Sequence, residues 1–94
     1  MSVYAVRKIR SALLAKGFQE ASTHHFEYRL MVAGRKSPIF TRLSHGAREY
    51  DDRLLGLVAK EMRLRRRELD AFIECPLSYE AYLQLLVEKG VLSA

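Results

Sequence analysis

Residues 25–43 read HFEYRLMVAGRKSPIFTRL, and the periods inside this stretch decide the fold. From His25 the chain alternates with a period of two: Phe26, Tyr28, Leu30 and Val32 share one face, and His25, Glu27, Arg29 and Met31 share the other. That alternation is the mark of a half-buried strand. Residues Ala33 to Lys36 are expected to turn the chain, because Gly34 takes a positive φ without steric cost. Pro38 cannot donate to a ladder and suits a strand's first position, so a second strand is predicted through Ile39, Phe40, Thr41, Arg42 and Leu43. The result is an antiparallel hairpin.

Upstream of this hairpin, Val6, Ile9, Leu13 and Leu14 recur at helical spacing, and Gly17 stands where a left-handed cap is wanted. Helix one therefore ends near Lys16. Phe18 to Ala21 reads as a short extended piece, which makes the sheet two- or three-stranded. Downstream, Asp51 or Asp52 is placed to cap a helix with the apolar stripe Leu54, Leu57, Val58 and Met62. A further helical stretch from about Arg66 buries Leu69, Phe72 and Ile73 until Pro76 stops it. Ser78 caps a last helix with Tyr79, Tyr82, Leu83 and Leu86 on one face. The expected fold class is α+β: helix, two- or three-stranded antiparallel sheet, helix, then two short C-terminal helices, in one domain over residues 1–94 with the helical extension starting at about 66.

Composition bounds the function. With 94 residues there is room for a single core. Hydrophobic residues make up 49% and charged residues 29%, a globular balance, and no apolar run approaches the roughly 20 residues that span a bilayer. Arg7, Lys8 and Arg10 interrupt the first segment, which therefore does not read as a secretion signal, and a cytoplasmic location is expected. Cys75 is the sole cysteine, so no internal disulfide forms. The net charge of +5 and an isoelectric point near 9.7 favour a polyanionic partner, either nucleic acid or an acidic protein.

Several ordered cues then meet one known family. LysGlyPhe at 16–18, the paired histidines in ThrHisHisPheGluTyr at 23–28, Gly34 in the hairpin and ThrArgLeuSerHisGly at 41–46 together resemble the HicA-type toxins over residues 5 to 73. Ser22 and Thr23 stand where that family has glycine and serine, and CysProLeuSer at 75–78 opens a segment beyond the minimal pattern. The resemblance implies a fold like that of a double-stranded-RNA-binding domain. It also implies RNA binding, metal-independent mRNA cleavage, and a cognate antitoxin as protein partner.

The chemistry is compatible with that implication. Cleaving RNA without a metal needs one group to take the 2′-hydroxyl proton and another to protonate the leaving oxygen, and histidine titrates in the right range. The candidates are His24 and His25, either of which matches the toxin histidine. Adjacent strand residues point to opposite faces, so His24, His25 and Glu27 are not expected to chelate an ion, and neither metal nor cofactor is predicted. Arg29, Arg35, Lys36, Arg42 and His45 surround the histidine strand and are the candidate RNA contacts. The competing reading is a non-catalytic nucleic-acid- or partner-binding module on the same fold, including a DNA binder in which residues 59–73 form a helix-turn-helix, with Arg66 and Arg67 opening the recognition helix and Arg63 where such turns usually carry glycine.

Overall fold

The computed structural model describes residues 3–22, 26–44, 46–74 and 76–93. His24, His25, His45 and Cys75 lie outside the described residues. In chain order the elements are β1 (Tyr4–Ala5), α1 (Val6–Ala15), β2 (Phe18–Ser22), β3 (Phe26–Val32), β4 (Arg35–Leu43), β5 (Glu49–Tyr50), α2 (Asp52–Glu61), α3 (Arg66–Ile73) and α4 (Tyr79–Glu88). The α+β class holds: α1, a three-stranded antiparallel sheet in the order β2-β3-β4, α2, and two further helices. The segment from Phe18 is a full third strand, paired Phe18↔Leu30 through Ser22↔Phe26.

Local chemistry explains several of the boundaries. Gly17 takes φ +90°, beyond what a side chain tolerates cheaply, and ends α1. Of the two candidate caps of α2 it is Asp51 that acts, its carboxylate accepting from the Leu54 N–H at 3.1 Å. Ser78 caps α4 in the same way through the Ala81 N–H. The hairpin turn is tighter than the expected four residues: Ala33 and Gly34 alone carry positive φ, of 52° and 76°, which suits a two-residue loop. Arg35 and Lys36 consequently belong to β4, not to the turn.

Pro38 sits inside β4. The ladder steps from Arg29↔Phe40 to Met31↔Lys36, so Ser37, Pro38 and Ile39 together oppose Leu30. Such an irregularity leaves part of the strand unpaired, and a proline there forfeits no ladder bond. The Ser37 hydroxyl accepts from the Ile39 N–H at 3.2 Å and satisfies it locally.

The helices cover one face of the sheet. Tyr28 and Leu30 of β3, Ile39 and Leu43 of β4 and Phe18 of β2 are buried against Ile9, Leu13, Leu55, Val58, Leu69 and Phe72. Phe72 and Tyr82 meet edge-on at 5.2 Å, and Phe18 stacks on Tyr82 at 6.0 Å. Two stripes are rotated from expectation. Leu14 and Leu57 are exposed, because the helical seam runs through Ile9, Ala12 and Leu13 in α1 and through Leu55, Val58, Ala59 and Met62 in α2. The pairs Tyr4↔Tyr50 and Ala5↔Glu49 form a separate two-stranded bridge between the chain start and the approach to α2.

Candidate nucleic-acid interface

The uncovered sheet face is where the predicted basic residues gather. Directly opposed strand residues point the same way. The pairs Gln19↔Arg29, Arg29↔Phe40, Glu27↔Arg42 and Met31↔Lys36 therefore place Arg29, Lys36 and Arg42 on the face opposite the core. Arg35 pairs with Val32, which packs on the core, and so turns to the other side at the exposed hairpin tip. Of the four described basic candidates, three share a face and Arg35 is separated from them.

Phe40, on the edge strand β4, shares that face directly opposite Arg29 of the central strand. The Arg29 guanidinium lies 4.7 Å from its ring centroid and the Arg42 guanidinium 5.5 Å. Both distances are within the range of cation–π attraction. The irregular pairing in β4 positions one of these cations, since Arg29 Nη1 donates to the Ser37 carbonyl at 3.0 Å. Glu27 lies between the two arginines with carboxylate oxygens 3.8 Å from Arg29 and 3.7 Å from Arg42. Ion pairs this long and this exposed contribute little, so an incoming phosphate can displace the carboxylate. An aromatic ring with two guanidinium groups over it can stack a base once a guanidinium swings from the ring to the adjoining backbone phosphate.

Phe40 and Glu27 were not among the sequence candidates. The signal for Phe40 was present: Ile39, Thr41 and Leu43 point inward, which sends Phe40 and Arg42 outward. What the sequence does not carry is that both arginines close on the same ring.

Beneath the rim of β2 a polar triad ties the sheet to α1. Tyr28 donates to Glu20 at 2.7 Å, and Arg10 donates to the same carboxylate through Nε at 2.7 Å and Nη2 at 3.3 Å. The Arg10 bonds, then the Tyr28 hydroxyl, hold the Glu20 carboxyl below its ordinary range. Burial, and then the Glu20 carboxylate, push the Tyr28 phenol well above its ordinary range, so it remains a donor.

The helix-turn-helix candidates are placed differently. Arg63 takes φ +62°, the conformation a glycine would supply in such a turn. Arg66, however, is bound to Asp70 at 2.6 Å and to Asp52 at 3.1 Å, and Tyr4 donates to the same Asp70 oxygen at 3.0 Å. Arg66 thus joins α2 to α3, while Arg67 is exposed. Among the described residues no group of three or more His, Cys, Asp or Glu is placed to hold a metal ion, and no helix is long and apolar enough to cross a membrane.

Comparisons with family models, with curated proteins and with solved structures found no match to this chain, so its own residues carry the functional reading.

Proposed function

We propose that this chain is an RNA-binding domain of the HicA-like kind, which engages RNA on the open face of its sheet. The observation that carries the reading is the ring of Phe40 with the guanidinium groups of Arg29 and Arg42 gathered over it. A ring and two cations side by side suit a nucleotide strand better than they suit a small apolar ligand. Lys36 extends the same face toward the hairpin, and the net charge of +5 favours a polyanion. A helix-turn-helix reading has less support, because Arg66 is already engaged by two carboxylates and α3 also carries Glu68 and Asp70.

In this reading His24 and His25, which immediately precede β3 in the sequence, act as general acid or base in metal-independent cleavage of the RNA. His45 adds a phosphate contact. In the cytoplasm a cognate acidic antitoxin would cover the basic face and hold the activity in check. Incubating the full chain with labelled single- and double-stranded RNA in EDTA tests the catalytic half, with a His24→Ala, His25→Ala variant beside the parent. Cleavage by the parent and none by the variant is the expected result. Salt-sensitive binding with no cleavage by either protein would remove the enzyme and leave the binding domain.

A further inference from the structure

A second cationic site lies apart from the Phe40 face, in an open cleft of about 690 Å³. Its lining includes Arg7 and Arg10 of α1, Arg48 and Glu49 from the approach to α2, and Phe26 and Ala47. The fold builds this cleft deliberately. The β1–β5 bridge pairs Ala5 with Glu49, and the Val6 N–H donates to the Arg48 carbonyl at 2.8 Å. Those bonds fix the backbone of Arg48 beside the first turn of α1, which carries Arg7. Two arginines 41 positions apart are thereby brought to one cleft.

Several cations of the molecule are matched by a carboxylate, and those of this cleft are matched only in part. Lys8 has Glu74 at 2.6 Å, Arg10 has Glu20, Arg66 has two carboxylates, and Lys89 has Glu68. Arg7 and Arg48 are exposed, and neither forms an ion pair among the described residues. The first turn of α1 has no acidic residue to oppose them. Glu49 is the one carboxylate in the lining, so three guanidinium groups leave the cleft with an excess of positive charge that attracts an anion.

We infer that this cleft binds the terminal phosphate of a nucleotide. Arg7 and Arg48 present planar forks of N–H donors suited to phosphate oxygens, and Arg10, already engaged by Glu20, adds positive potential without giving up its own partner. The volume lies within the range of small-ligand sites and accommodates a mononucleotide, with Phe26 and Ala47 as the apolar wall for its body. The nucleotide is either free or the 5′ end of an RNA. The site shares no residue with the Phe40 face and does not depend on it.

The test is calorimetric titration of the full chain with adenosine 5′-monophosphate and with adenosine, and of paired short RNAs that carry or lack a 5′-phosphate. Arg7→Gln, Arg48→Gln is compared with the parent and with Arg29→Gln, Arg42→Gln, after thermal melts confirm that each is folded. Binding of the monophosphate at least tenfold tighter than adenosine, lost in the Arg7/Arg48 variant and kept in the Arg29/Arg42 variant, is expected for a free nucleotide. A 5′-phosphate preference seen only with the RNAs, and lost in the same variant, assigns the site to an RNA end. Equal affinity with and without the phosphate for both ligand types, or no effect of the Arg7/Arg48 substitutions, would overturn the inference.

Discussion

The ring of Tyr79 lies against Gly17 so closely that a Cβ added at Gly17 would run into it. The contact belongs to a three-way joint. The Met31 N–H donates to the Gly17 carbonyl at 2.9 Å, and the Tyr79 hydroxyl donates to the Met31 carbonyl at 2.8 Å. One glycine therefore ties the end of α1 to β3 and to the start of α4, and it does so at φ +90°.

Gly17→Ala should destabilise the protein by about 2–4 kcal/mol, combining left-handed strain with displacement of the Tyr79 ring. Denaturant unfolding checks this. A loss under about 0.5 kcal/mol would mean that the joint relaxes freely.

Tyr82 is fully buried, and its hydroxyl donates to the Met62 carbonyl at 2.8 Å at the end of α2. Tyr82→Phe keeps the contacts with Phe18 and Phe72 but strands a carbonyl acceptor. The expected cost is about 1–3 kcal/mol in the same unfolding experiment. No change would show that Met62 finds another donor.

Glu20 makes stability depend on acid. Its folded pKa lies below the ordinary 4.5, so its contribution is present in full above that value and is lost as pH falls through the depressed folded pKa. Unfolding curves of the parent and of Glu20→Gln should therefore differ most near neutrality and converge in strong acid. A gap that stayed constant with pH would break the assignment of the Arg10–Glu20–Tyr28 triad.

How much of this was legible beforehand differs by residue, for physical reasons. The two-residue period of Phe26 to Val32 and the cap at Ser78 are local and turned up where the sequence placed them, while the α2 cap was narrowed to Asp51 or Asp52 and is Asp51. The Leu14 and Leu57 positions were misread because adjacent leucines give two nearly equivalent helical seams, and only packing chooses between them. The β1–β5 bridge is two residues long on each side and has no period to read. For the site, Arg29 and Arg42 were recognisable as outward cations, but their convergence on Phe40 depends on the register of β3 and β4, including the irregular pairing at Ser37–Ile39.

Glu27 competes with RNA for the arginines that flank Phe40. Glu27→Gln should leave the fold intact and tighten RNA binding about three- to tenfold at low salt, because each freed arginine becomes available to phosphate. Weaker binding would mean that the carboxylate positions the two side chains rather than competing for them.

The most direct test of the central claim is the affinity of the full chain for a short labelled single-stranded RNA over a range of salt, with Phe40→Ala and Arg29→Gln, Arg42→Gln beside the parent. Phe40→Ala should weaken binding about tenfold or more with its salt slope nearly unchanged, since stacking is lost and charge is not. The double arginine variant should bind more weakly and lower the slope of log K against log salt by about 1.4, two phosphate contacts fewer. Affinity and slope equal to the parent's in both variants would contradict an RNA interface on this face of the sheet.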